Sequence, residues 1–245
     1  MADFYNINRQ RVLYLPPLGS FLKCFILFLL FWTASCSNRD DRYVLAIQDA
    51  AVAEEHEIKP LVCLTKNDKR ATFRQNKVLL ASWHNVPQVY ENGRTLVSDR
   101  DAVWVVSAKE LDDKVKEDLK SKKDFGAPYV RLCQLVGRSD TDKPYTHVSY
   151  LLVSAKDVMR PAYQTDVCTS EMTLALDEGV QSGYKEWFER NRKASDGYYP
   201  WTRLGYTCDW KNGTCDYGLT EFIIKKGAVI EVEKTLTNEA FFEQF

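Results

Sequence analysis

The sequence predicts an α+β fold: a single domain over residues 42–245, with a mostly antiparallel sheet and three to four helices. Three observations carry that expectation. The chain has 245 residues, 45% of them hydrophobic and 13% aromatic, which is material for one sizeable core. Stretches of strand character and of helical periodicity mix without strict alternation, which argues against a parallel βαβ sheet. One junction also occurs twice, VVSAKEL at 105–111 and LVSAKDV at 152–158. In each, a β-branched run meets Ser-x-x-acid, the pattern whose serine oxygen caps a helix.

Taken in order, residues 40–57 carry Val44, Ile47 and Ala51 on one helical face behind an acidic start that suits the helix dipole, and Pro60 ends that helix. Residues 61–64 and 78–83 are expected as buried strands, with the charged stretch 66–77 as a loop or short helix between them. The first junction runs into the long helix ELDDKVKEDLKSK, with Leu111, Val115 and Leu119 on its buried side. The second runs into a helix that Pro161 stops after barely two turns. Residues 129–136 and 146–153 are expected as further strands around the polar loop 137–144. Residues 180–193 suit an amphipathic helix with Tyr184, Trp187 and Phe188 as its apolar patch. Residues 221–224 and 228–233 suit a hairpin about Lys225-Lys226-Gly227, and 237–244 a last short helix capped by Thr237.

The first 41 residues stand apart from this body. Arg9, Arg11 and Lys23 precede an apolar run, 25–32, that exits through Thr33, Ala34 and Ser35 to Cys36: positive end, short apolar core, small-residue exit. Counted from 21 to 35, the run falls short of the about 20 residues a membrane-crossing helix needs. Thr33-Ala34-Ser35-Cys36 resembles the lipobox of bacterial lipoproteins, with Thr33 where that family usually has Leu. The following SNRDD at 37–41 is similar to the polar leader of surface-displayed lipoproteins. The resemblance implies that 1–35 is a cleaved signal peptide and 36–41 a lipidated linker. It also implies that Cys36 carries a diacylglycerol and that the membrane is a partner through this anchor. The expected location is the bacterial cell envelope, at the outer membrane. An ordinary cleaved signal, with Cys36 free or in a disulfide, is the alternative.

Lys plus Arg number 33 against 34 for Asp plus Glu, so no field of one sign draws the chain onto nucleic acid, and no nucleic-acid partner is expected. Five cysteines follow Cys36, an odd number in what export makes an oxidising setting. Cys63 and Cys133 sit among apolar residues, where a buried, inert thiol is the default. In CDWKNGTC a four-residue loop over 210–213 brings Cys208 and Cys215 face to face for a disulfide. A two-residue Asn212-Gly213 turn sets them on a diagonal instead. No C-x-x-C occurs, and His56, His84 and His147 stand apart, so neither a metal nor another cofactor is expected.

The densest unusual stretch is DGYYPWTRLGYTCDW at 196–210. Tyr199, Trp201, Arg203 and Trp210 are its candidate ligand-binding residues, since exposed Tyr and Trp rings suit sugar faces and Arg grips acids. The competing reading has these rings filling a core. No catalytic residue is assigned: Lys109 and Lys156 fall two residues after their serines, one short of the Ser-x-x-Lys motif. The expected function is a lipid-anchored envelope protein with a binding or structural role, a surface glycan being one ligand. The alternative is a secreted hydrolase using His84 or acids from separate strands.

Overall fold

In the computed structural model, residues 39–121 and 127–245 are described. The cleaved signal and lipidated Cys36 expected from the sequence lie outside these residues. The described body is α+β, with five helices and a nine-stranded antiparallel sheet.

Asp40 caps α1 (Asp41–Asp49) by accepting the Arg42 amide at 2.9 Å. The helix stops well short of the expected residue 57, which instead ends a 3₁₀ turn at Glu55–Glu57. The end is made elsewhere in the chain, by the Arg203 guanidinium donating to the carbonyls of Ala50 and Ala51. Leu61, Val62 and Leu64 are buried, but residues 61–64 form no strand. Their amides go to Ser170 O, the hydroxyl of Thr220, the Asp68 carboxylate and Val167 O.

β1 (Thr72–Arg74) turns into β2 (Lys77–His84) through Gln75 and Asn76, both at positive φ as a two-residue hairpin turn demands. β3 (Thr95–Val97) precedes β4 (Ala102–Ser107), which enters α2 (Ala108–Ser121). Ser107 Oγ receives the Glu110 amide at 3.5 Å, and Leu111 and Val115 are buried against the sheet. Residues 129–136 are α3 (Pro128–Leu135), where a strand was expected. Proline at the first helical position suits helix entry, and Gly137 at φ +70 ends it. Burial hides the periodicity, because Arg131 is enclosed by carboxylates and presents no polar face.

β5 (His147–Val153) is followed by one 3₁₀ turn, Ala155–Asp157, with no side-chain cap, and then by β6 (Val158–Met159). The second Ser-x-x-acid junction therefore opens no α-helix, since the chain must re-enter the sheet at once beside the strand Asp216–Lys225. After α4 (Ser182–Ser195) come β7 (Tyr206–Asp209), β8 (Asp216–Lys225), β9 (Val229–Thr237) and α5 (Asn238–Phe242). Thr237 Oγ1 caps α5 through the Ala240 amide at 3.2 Å.

The strand order is β3-β9-β5-β2-β4-β8-β6, with β1 beside β2 and β7 beside β8. β8 and β9 are thus not the expected hairpin, although only Lys226, Gly227 and Ala228 join them. Four strand spacings separate them, about 19 Å in a flat sheet, against about 14 Å for four residues of extended chain. The sheet must therefore curl. Ser98 holds the closing turn, donating to Ala228 O and accepting from the Gly227 amide. Inside the curl lie Val78, Leu80, Val105, Leu151, Phe222 and Ile230; outside, Leu79, Val106, Tyr150 and Leu219 pack under α2, α3 and α5. Gly218 permits α3 to approach β8, for the Leu135 carbonyl sits where a Cβ would be.

Candidate functional site

β2 and β4 share only two rungs, Leu80–Ser107 and Ala81–Val106. Beyond them β2 stays paired to β5 and β4 to β8, so the two strands part. Ser82 Oγ donates to Trp104 O at 3.1 Å near the root of the split. A cavity of about 490 Å³ runs along it. Alternation along the strands means that the lining comes from both faces of the sheet: Trp83 and Trp104 from the outer, Ser82 and His84 from the inner.

On the β4 side, Glu221 of β8 lines the cavity beside Tyr199 and Trp201. Only 6% of Glu221 is exposed, and burial pushes its carboxyl up to about 8. The Trp201 indole N–H and the Arg160 charge act the other way and do not overcome burial. Neither Glu221 Oε1 nor Trp201 Nε1 completes a hydrogen bond among the described residues. A carboxyl shifted to about 8 is mostly protonated at neutral pH, with one O–H to donate and one oxygen left to accept beside the Trp201 N–H. Trp201 is held by rings, 5.1 Å from Phe188 and edge-on to Trp104 and Trp187 at 6.4 and 6.2 Å. The Phe188 and Trp187 contacts are the apolar patch of α4 meeting the aromatic stretch that follows it.

On the β2 side, Trp83 meets Tyr145 edge-on at 5.5 Å, and the Arg138 guanidinium lies 3.6 Å over the Tyr145 ring. Arg138 Nη2 donates to Lys143 O at 3.0 Å, while its Nη1 is buried and makes no hydrogen bond among the described residues. Asp142 is 3.7 Å away and also lines the cavity.

His84 borders the same space without being available for proton transfer. Its Nδ1 accepts the Val86 amide at 3.1 Å, which puts the ring proton on Nε2, donating to Ser149 Oγ at 2.6 Å. Ser149 passes the chain to Thr235 Oγ1 at 2.6 Å, and Thr235 to Tyr90 O. Burial, helped by the charges of His147 and Arg100, pulls His84 down to about 4. The alternative role as a general base has no free nitrogen lone pair behind it, and Ser149 is a buried acceptor for His84 rather than a nucleophile.

Of the four residues expected to bind ligand, the fold brings Tyr199 and Trp201 to the cavity and takes Arg203 and Trp210 elsewhere. Arg203 serves the end of α1. Trp210 is wholly buried against Tyr43, its N–H donating to Arg138 O at 2.8 Å. Cys208 and Cys215 are bonded, with Cα atoms 4.8 Å apart, in the diagonal register: Cys208 faces Tyr217 and Asp209 faces Asp216. Sequence reasoning missed Glu221 although a signal existed, a lone acid inside the apolar run GLTEFII. It missed Arg138 for lack of one. Among the described residues, no three His, Cys, Asp or Glu side chains gather as metal ligands would. Compared with family models, with curated proteins and with solved structures, the chain has no match in any of the three.

Proposed function

We propose that this chain is a lipid-anchored bacterial envelope protein whose folded body binds a small ring-bearing ligand rich in hydrogen-bond acceptors, a sugar residue being the class that fits. One observation carries the binding role: the buried Glu221 carboxyl and the Trp201 N–H beside it, neither Glu221 Oε1 nor Trp201 Nε1 completing a hydrogen bond among the described residues, lie on a cavity walled by aromatic rings. Buried polar atoms without a full hydrogen bond are costly, roughly 1–3 kcal/mol each, and a ligand's polar groups remove that cost. A volume of about 490 Å³ suits a small molecule, and flat rings suit sugar faces. The anchor rests on Cys36 and the run before it.

Tryptophan fluorescence titrated with a panel of methyl glycosides tests the binding role. Saturable quenching by at least one glycoside, lost in Trp201→Phe, is the expected result; no response to any of them removes the sugar class. A secreted hydrolase is the second reading. It is favoured by two carboxyls in unlike surroundings on one cavity, Glu221 protonated and Asp142 partly exposed. Nitrophenyl glycoside turnover that vanishes in Glu221→Gln would put the enzyme first.

A further inference from the structure

Away from the cavity, a seam joins residues 61–64 to residues 167–170. Leu61 N donates to Ser170 O at 2.8 Å and Leu64 N to Val167 O at 3.0 Å, so the two segments run antiparallel. Cys63 precedes Leu64 by one residue and Cys168 follows Val167 by one, which sets the cysteines opposite each other. The Cys63 thiol lies 2.8 Å from Cys168 O. Residues opposed in this way have Cα atoms about 4.5–5.5 Å apart, within the span of a disulfide. The wholly buried Arg160 pins both sides of the seam, donating to Val62 O at 3.1 Å, Val167 O at 3.3 Å and Thr169 O at 3.0 Å. Cys63 is half-buried and Cys168 exposed, so a reagent reaches the second first.

We propose that Cys63 and Cys168 are a dithiol site that closes to a disulfide by exchange with a low-molecular-weight disulfide. The exposed Cys168 thiolate attacks one sulfur of the reagent, whose S–S bond breaks and releases one half as a thiol. The Cys63 thiolate then attacks the Cys168 sulfur, breaking the mixed disulfide and releasing the other half. Two protein thiols are oxidised, one reagent disulfide is reduced to two thiols, and the two cysteine protons end on those thiols. Burial raises the Cys63 thiol, so the exposed Cys168 is the first to react, and the second step is carried by the position of Cys63 opposite it. Residues 160–181 hold neither helix nor strand, and the new bond ties this long irregular stretch to the segment 61–64. With Cys208 bonded to Cys215, it accounts for four of the five cysteines after Cys36 and leaves the buried Cys133.

The test exposes the folded, mildly reduced chain to bis(2-hydroxyethyl) disulfide and maps its peptides by mass without reduction. The expected wild-type map contains a peptide joining residues 63 and 168 and no lasting adduct on Cys168. Cys63→Ser should instead trap the hydroxyethyl adduct at Cys168, and Cys168→Ser should react at least tenfold more slowly than wild type. A stable wild-type adduct on Cys168 with no joined peptide overturns the proposal, as does a joined peptide that forms only in urea. The wild-type map decides the matter even where a variant fails to fold.

Discussion

Glu221 stands opposite Val106 across β4 and β8, and Val106 shares its other rung with Ala81 of β2. The acid therefore lies level with the last rung before β2 and β4 part. That register, rather than any local motif, brings it to the cavity, and the ionisation of Glu221 follows from the burial it finds there.

The first prediction concerns pH. A carboxyl near 8 in the folded chain and 4.5 in the unfolded one holds a proton only when folded between those values. Its stabilisation is complete below 4.5 and is lost as pH rises through 8, by up to about 1.4 kcal/mol per pH unit. His84 acts oppositely: neutral down to about 4 when folded but protonated below 6.5 when unfolded, it costs stability as pH falls from 6.5 towards 4. The two slopes oppose each other between about 4.5 and 6.5. Urea unfolding should therefore show wild type losing about 2 kcal/mol from pH 6.5 to 8, with Glu221→Gln nearly flat.

Trp201 and Trp210 should separate under the same substitution. Trp201→Phe removes an N–H that completes no hydrogen bond among the described residues and acts only weakly on Glu221, so stability should change little while ligand affinity falls about tenfold, roughly 1.4 kcal/mol. Trp210→Phe strands the carbonyls of Cys133 and Arg138 and leaves a void, costing about 2–4 kcal/mol of stability. Thermal unfolding and fluorescence titration of both variants check the contrast.

Arg131 grips Asp209 through two parallel bonds of 2.7 and 2.6 Å and reaches Asp118 at 2.8 Å, tying α3 to β7 and α2. Asp209→Ala leaves a buried guanidinium short of a charge. Denaturant unfolding should show a loss of about 3–5 kcal/mol.

What was legible in the sequence is what local chemistry controls. The Ser107 cap, the Leu111 and Val115 stripe, the patch on α4 and the Thr237 cap each lie within a few residues of what they stabilise. Where partners are distant, the expectation departs from the fold. α1 ends at a carbonyl pair taken by Arg203, α3 is concealed by the enclosure of Arg131, and the turn after Lys225 joins strands four spacings apart instead of a hairpin. The site divides in the same way. Tyr199 and Trp201 stand out as part of an aromatic cluster, and Glu221 as an acid among apolar neighbours. The split between β2 and β4 that unites them is a property of the curled sheet and has no signature in any one segment.

The most direct test of the account is the ionisation of Glu221 itself, followed by carbon-13 NMR of glutamate-labelled protein with Glu221→Gln to assign the resonance. The account predicts one carboxyl that titrates near 8 and shifts when a bound glycoside fills the cavity. A Glu221 resonance titrating near 4.5, indifferent to every ligand, would contradict it.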